Sequence, residues 1–455
     1  MKRKIVVLGG GISGYGSAIL AKKKGFDVFL SDMGKIVPKF RERLDEWKVE
    51  YEEGQHTEER ILDANEVVKS PGIPDTAPIV KRIRERGIPV ISEIEFAGRY
   101  KGVAKTICIT GSNGKTTTTS LIYKIMRDAG RKVSLGGNIG ESFAYSVATE
   151  KNFWYVLELS SFQLDGMTKF RADVGVLMNI TPDHLDRYDY KFENYAASKM
   201  RITQNQSSAD AFIYSADDDM TRQMLDKMDS SLRARQLPFA INTAIASGDG
   251  DAVLEGYTFT ASVGKQSVTI DTRKMQIHGM HNIYNAMAAA LATLAAGVEP
   301  RVIKRSIYDF SPVEHRLEPA GERNGIRWIN DSKATNVDSV WYALESMQQP
   351  TVWIAGGTDK GNDYTPLKEF ARRKVKALIC MGLDNAKLKR DFDGIIPVIE
   401  DCSSLDEAMR AAERHATEGD TVLLSPACAS FDLFRNYEER GRLFKEWVKE
   451  NILDK

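Results

Sequence analysis

The chain has 455 residues, 42% hydrophobic and 28% charged, with 63 Lys and Arg balancing 63 Asp and Glu. That length exceeds what one core sustains, so about three domains are expected, and a net charge of zero excludes a strong field for nucleic acid or membrane surfaces. No apolar run reaches the ~20 residues that span a bilayer, Met1-Lys2-Arg3-Lys4 leads into a strand rather than a signal peptide, and the four scattered cysteines suggest neither disulfides nor a zinc knuckle, so a cytoplasmic globular protein without membrane insertion is expected.

The first predicted elements are a strand over Lys4–Leu8, a helix through Ala18–Lys24, and strands at Val28–Leu30, Glu66–Lys69 and Pro89–Ser92. They read as a small parallel α/β sheet. Gly9-Gly10-Gly11-Ile12-Ser13-Gly14 fits G-x-G-x-x-G between strand and helix, and Asp32 follows the second strand where a ribose-binding acid would sit. Alone this suggests NAD, yet the turn requires only a diphosphate at a helix N-terminus, so a nucleotide-linked substrate fits equally well.

A second α/β segment follows, with strands near Lys105–Ile109, Trp154–Leu159, Val174–Met178 and Ala211–Tyr214, an antiparallel addition between Val253 and Ile277, and an alanine-rich helix over His281–Ala296. Its first strand runs into Gly111-Ser112-Asn113-Gly114-Lys115-Thr116-Thr117. Converging backbone N–H groups, the positive end of the next helix, the Lys115 charge and the Thr116 hydroxyl suit a nucleoside triphosphate with magnesium. The spacing departs from the common P-loop, which places glycine where Ile109 stands.

Glu158 sits at the C-terminal end of an apolar strand, where ligands of open α/β sheets bind, and is a magnesium ligand candidate or one half of an ion pair. Asn179-Ile180-Thr181-Pro182-Asp183-His184-Leu185-Asp186 ends the next strand; on chemistry alone Asp183 or Asp186 suits magnesium better than His184. Lys199 falls in a predicted helix, Phe192–Gln206, where a lone lysine reads as solvated surface. Asn282 and Asn285 share a helix face and either read a ligand or cap the helix.

A third α/β pattern follows Pro312, with strands at Arg327–Ile329, Thr351–Ala355, Ala377–Met381, Ile395–Ile399 and Thr421–Leu424. Polar turns at Asn330–Asn336, Gly356–Gly361 and Ser425–Ser430 suit a carboxylate-binding pocket. The expected domains are 1–93, 94–312 and 313–455.

The Gly111–Thr117 turn, Leu157-Glu158-Leu159-Ser160-Ser161-Phe162-Gln163-Leu164, Asp183-His184-Leu185-Asp186-Arg187-Tyr188, His281-Asn282-x-x-Asn285-Ala286 and Asn330-Asp331-Ser332-Lys333-Ala334-Thr335-Asn336 occur in that order. With them the chain resembles the Mur ligases over essentially its whole length. That resemblance implies an α/β fold of three domains: a Rossmann-like N-terminal domain for a UDP moiety, a central P-loop-type ATPase domain with a mostly parallel sheet, and a Rossmann-like C-terminal domain that closes over the site. It implies ATP-dependent joining of D-glutamate to UDP-N-acetylmuramoyl-L-alanine, and a monomer is expected.

By the same resemblance, Ser13, Asp32, Met33, Ser70 and Gly72 lie at the uridine diphosphate and Asn138 near the muramoyl group. Gly111, Ser112, Asn113, Gly114, Lys115, Thr116, Thr117, Asn282, Asn285, Arg316 and Asp331 hold ATP. Thr116, Glu158, His184 and a carbamylated Lys199 hold two Mg2+ ions, carbamylation turning an amine into an oxygen ligand. Ser160, Lys333, Thr335, Lys360, Ser430 and Tyr437 complete the substrate contacts, and Lys115, Glu158, His184 and Lys199 form the catalytic set. The Asp-Asn-Pro-Arg run of the diamino-acid-adding member is missing. A nicotinamide-dependent dehydrogenase and a non-enzymatic ATP-binding module are the alternatives that the residues alone leave open.

Overall fold

The structure, a computed structural model, describes residues 2–228, 232–245, 248, 250–311, 313–359 and 361–454, with every side chain among them except that of Asp186. The chain divides into two compact units, Met1–Met275 with Tyr284–Phe310, and Gln276–Ile283 with Ser311–Lys455.

In the first unit, β1 (Lys4–Leu8), β2 (Asp27–Asp32), β3 (Glu50–Glu53), β4 (Glu66–Lys69) and β5 (Val90–Ile91) form a parallel sheet in the order β3-β2-β1-β4-β5. Ile5, Val6, Val7 and Leu8 are fully buried, as a central parallel strand with both faces covered requires. The order reverses beside β1, which places a ligand crevice at its C-terminal end. Helix α1 (Ile12–Lys23) starts there, directly after the glycine turn, and α2 (Glu93–Gly98) follows the sheet with Ser92 as its cap, the hydroxyl accepting from Glu95 N at 3.2 Å.

A second sheet in the same unit runs β14-β13-β12-β11-β10-β9-β6-β8-β7. Its strands are β6 (Lys105–Thr110), β7 (Val133–Gly137), β8 (Trp154–Glu158), β9 (Val174–Leu177), β10 (Ala211–Ser215), β11 (Arg235–Ala240), β12 (Gly250–Glu255), β13 (Thr258–Val263) and β14 (Gln266–Asp271). Only β12-β13-β14 pair antiparallel, matching the alternation expected there. Helices α3 (Lys115–Asp128), α4 (Phe143–Thr149), α5 (Ser161–Asp165), α6 (Phe192–Met200) and α7 (Met280–Ala295) accompany it. Small side chains let α7 pack closely: Ala286 to Ala292 are all fully buried. One apolar core continues from Ile5 and Val7 through Tyr15, Phe143 and Tyr155.

The second unit holds β15 (Glu318–Arg323), β16 (Ile326–Asn330), β17 (Thr351–Gly356), β18 (Val375–Met381), β19 (Ile399–Cys402) and β20 (Thr421–Ala427), ordered β15-β16-β20-β17-β18-β19 and parallel apart from β15. Helices α8 (Val337–Ser346) and α9 (Tyr437–Val448) flank it. Among the described residues no helix is long and apolar enough to cross a membrane.

Several elements differ from expectation. The strand expected at Ile395–Ile399 begins only at Ile399, because Pro397 removes a ladder donor and Ile395 and Ile396 form a turn on α-helical Phe392. The helix expected to Gln206 ends at Met200 and continues as a single 3₁₀ turn, Arg201–Thr203. The unforeseen strands β3, β7 and β15 are sheet edges rich in Glu, Gly or Pro, and β11 contains Pro238; neighbouring strands, not intrinsic propensity, recruit them. Pro312, at an expected boundary, lies outside the described residues.

Candidate active site

The turn between β6 and α3 is fastened from behind. Ser112 N donates to Asn179 O at 3.0 Å and Asn113 N to Asn179 Oδ1 at 2.9 Å. Ser112 Oγ donates to Thr181 O at 2.9 Å and lies 3.1 Å from Tyr195 Oη. Gly114 has φ +82°, and a Cβ there would stand 2.5 Å from Asn285 Oδ1, so glycine alone lets the turn close on α7. Asn285 Oδ1 also accepts from Thr118 Oγ1 at 3.1 Å. Thr116 and Thr117 are buried in the first turn of α3, and Lys115 Nζ donates to the carbonyls of Gly111 (2.7 Å) and Ser112 (2.9 Å).

Glu158 ends β8 and is 1% exposed. Asn138 Nδ2 donates to its Oε1 at 2.9 Å and Asn138 N to its carbonyl at 2.8 Å, while Oε2 is buried and finds no hydrogen-bond partner among the described residues. A buried, unbonded carboxylate oxygen beside a phosphate-type turn is a donor that fits a hard cation. The buried Lys199 amine feels the attraction of this carboxylate.

Lys199 corrects its helical-surface reading: it is 2% exposed on α6, with Nζ donating to Gly111 O at 2.9 Å and standing 4.5 Å from the Tyr195 ring centroid. Burial, joined by the charge of Lys115, holds its amine well below the usual lysine range, against the attraction of Asp183, Asp165 and Glu158. His184 occupies the left-handed region at φ +53°, its exposed ring 5.3 Å from that of Phe162 and Nε2 3.6 Å from the Asp183 carboxylate. The side chain of Asp186 lies outside the described part of the structure. Ser160 caps α5 in a reciprocal box with Gln163.

At the first glycine turn, a Cβ on Gly14 would fall 1.7 Å from Gly9 O, the close helix-to-strand approach that the third glycine of such turns permits. Asp32 braces the turn: Oδ2 accepts from Gly10 N at 2.5 Å and Oδ1 from Gly34 N at 2.7 Å. Ser70 Oγ donates to Gly9 O at 3.4 Å, Gly72 is exposed, and Met33 is 61% exposed. Ser13, Asp32, Met33, Ser70 and Gly72 thus gather at the C-terminal ends of β1, β2 and β4, whereas Asn138 is held at Glu158.

In the second unit, Asp331 follows β16 and is buried, Oδ1 accepting from Leu317 N at 3.2 Å and Oδ2 from Ser425 Oγ at 2.8 Å. Burial pushes its carboxyl up to about 7 even though Arg316, Ser425 and the Leu317 amide favour the charge. Arg440, buried on α9, donates to Ser332 Oγ (3.0 Å), Ser332 O (2.8 Å) and Cys428 O (3.3 Å), and so ties the 330–336 turn to the 424–430 turn. Lys333 Nζ lies 5.2 Å from the Tyr437 ring centroid, Ser430 is buried, and Asn336 caps α8 by accepting from Ser339 N at 2.9 Å. Asn282 Nδ2 donates to His278 O at 2.8 Å. Thr335 is half-buried in the same turn, and Lys360 lies outside the described residues.

Three family models match the chain: the Mur ligase MurD-like N-terminal domain over residues 3–92, the Mur ligase middle domain over 109–293, and the Mur ligase glutamate ligase domain over 315–428. The chain belongs to the Mur ligase family. This Mur ligase is 54% identical over 449 residues to the UDP-N-acetylmuramoylalanine--D-glutamate ligase of Bacteroides fragilis, covering 98% of this chain and 100% of the relative. Identity to the ligase of that name from Christiangramia forsetii is 51% over 449 residues, covering 99% and 100%. Among solved structures, UDP-N-acetylmuramate-alanine ligase MurC from Thermotoga maritima is similar with a TM-score of 0.62 at 16% identity, covering 99% of this chain and 100% of that one. A pseudomurein peptide ligase type C from Methanothermus fervidus is similar with a TM-score of 0.62 at 20% identity, covering 98% and 100%. These distant structures establish the shared fold.

Two contacts that shape the site of this Mur ligase carry no motif signal: that of Tyr195 behind Ser112 and that of Asn138 to Glu158. Only contacts between distant segments disclose them. Asp331 gives a stability test. Its carboxyl binds a proton more tightly in the folded protein (about 7) than an ordinary aspartate does (3.8), so its contribution is full below about pH 4 and is lost as pH rises through about 7. Asp331→Asn removes that loss, and its urea midpoint is expected to gain on the parent between pH 4 and 8, by as much as ~4 kcal/mol in stability. A gap between the two proteins that stays constant with pH would contradict this.

Proposed function

We propose that this Mur ligase is an ATP-dependent amide ligase that joins D-glutamate to UDP-N-acetylmuramoyl-L-alanine in cytoplasmic peptidoglycan precursor synthesis, acting as a monomer. Its strongest support is identity of 54% along nearly the full length of a relative that bears that activity as its name. The meeting of a phosphate-type turn with buried Glu158 and Lys199 supports the phosphoryl-transfer half. Three sheets and three family-model matches support a division into domains 1–93, 94–312 and 313–455.

A free carboxylate does not accept an amine in water without activation. In the first step, the L-alanine carboxylate oxygen attacks the γ-phosphorus of ATP, the bond to ADP breaks and an acyl phosphate forms. In the second, the D-glutamate amine attacks the acyl carbon and phosphate leaves. Ser13, Asp32, Met33, Ser70 and Gly72 hold the UDP end, with Asn138 and Ser160 toward the muramoyl group. The 111–117 backbone cradles the triphosphate, Lys115 exchanges its loop carbonyls for phosphate oxygens, and Asn282, Asn285, Arg316 and Asp331 hold the rest of ATP.

Two Mg2+ ions, when bound, supply neutralising charge to the transferring phosphoryl group, and Thr116, Glu158, His184 and a carbamylated Lys199 would hold them. Burial disfavours the Lys199 ammonium, and the neutral amine is the form that adds to carbon dioxide. Thr335, Lys360, Ser430 and Tyr437 receive the carboxylates of D-glutamate, and Lys333 completes the substrate contacts. Purified protein given ATP and the UDP-linked acceptor is expected to release ADP with D-glutamate and not with L-glutamate or L-lysine. ADP release indifferent to the amino acid would refute the ligase assignment.

A further inference from the structure

Glu93 lies in none of the motifs above, yet it is 1% exposed at the start of α2. Its Oε1 accepts from Ala144 N at 3.0 Å and from Ser142 Oγ, and Oε2 is buried and finds no hydrogen-bond partner among the described residues. The Ser13 hydroxyl and the Phe143 amide also favour its charged form, while burial pushes its carboxyl up. Interring a carboxylate is unfavourable unless its bonds do something an apolar side chain would not.

Those bonds hold the start of α4, against which α1 packs. Ser13 opens α1 at the first glycine turn. Ser142 caps α4, its Oγ accepting from Tyr145 N at 3.1 Å, and ends the loop that carries Asn138. Asn138 in turn grips Glu158 through side chain and backbone. Helix α1 comes so close that a Cβ on Gly16 would stand 1.8 Å from Ser142 Oγ. Glu93 therefore holds Ser142, which lies against α1 and connects, through the 138–142 loop, to Glu158.

We propose that Glu93 is a positioning residue that holds the α1 turn in register with the 138–142 loop, so that an acceptor anchored by its nucleotide presents its carboxylate at the phosphoryl-transfer centre. This rests on the function proposed above. Reacting atoms must lie about 3–3.5 Å apart, and a misplacement of ~1 Å costs on the order of a hundredfold in rate. Cα positions of α1 and α4 that drift by that much would be felt in catalysis before they are felt in folding.

The test is steady-state kinetics of the full chain with all three substrates varied. Glu93→Ala is expected to raise KM for the UDP-linked acceptor about tenfold and lower kcat roughly 10- to 100-fold, with KM for ATP and D-glutamate within about twofold. Glu93→Gln keeps an oxygen for Ser142 and Ala144 and is expected to stay within about threefold of the parent in every constant. A purely structural role predicts a smaller active fraction with unchanged KM values; that result, equal rises in all three KM values, or a Gln variant as impaired as Ala would overturn the proposal. If Glu93→Ala does not fold, Ser142→Ala decides: an acceptor KM raised about threefold supports the register, and an unchanged one refutes it. A parent protein silent with acceptor and D-glutamate refutes the proposed function, whereas an active parent with unaffected variants refutes only the role of Glu93.

Discussion

Lys115→Ala is expected to lower ADP formation at least ~10³-fold while the UDP-linked acceptor binds with little change. Two anions meet when a carboxylate attacks a triphosphate, and the only lysine within the Gly111–Thr117 turn is Lys115, whose Nζ lies on the Gly111 and Ser112 carbonyls. Removing it leaves developing charge on the phosphoryl oxygens without a partner that a water molecule can replace. The acceptor's nucleotide end is expected at Asp32 and Ser70, braced by the Gly9–Gly14 turn rather than by Lys115. A coupled ADP assay and calorimetry with the acceptor separate the two effects; retained turnover would contradict the phosphate role.

Lys199→Ala is expected to cause a comparable loss that short carboxylic acids partly restore. The side chain is 2% exposed, its Nζ donates to Gly111 O, and burial with the Lys115 charge disfavours the ammonium. A neutral amine adds to carbon dioxide and sheds a proton, leaving a carbamate whose oxygens suit magnesium. Acid reverses that addition, so intact mass at neutral pH should exceed the mass after acidification by one carbon dioxide. Absence of both the mass difference and the rescue would remove Lys199 from the metal site.

Much of this was legible because glycine marks where backbone must approach a ligand. The Gly9–Gly14 and Gly111–Gly114 turns, each between an apolar strand and a helix, fix the C-terminal sheet edges at which Asp32, Ser70 and Glu158 appear. Lys199 was hidden from helical periodicity because its neighbours on α6, Tyr195 and Ser198, bury it through polar contacts to other segments. Glu93 was hidden for the same reason: a glutamate in the first turn of a helix reads as solvated, and only the arrival of α4 fifty residues later encloses it. Edge strands such as Glu50–Glu53 owe their conformation to a pairing partner, which local composition does not report.

The acyl phosphate is tested most directly by labelling both oxygens of the acceptor's L-alanine carboxylate with oxygen-18 and analysing the phosphate released during ligation to D-glutamate. Activation by phosphoryl transfer predicts that each phosphate carries one labelled oxygen taken from the carboxylate. Phosphate free of label, with the amide still formed, would contradict it.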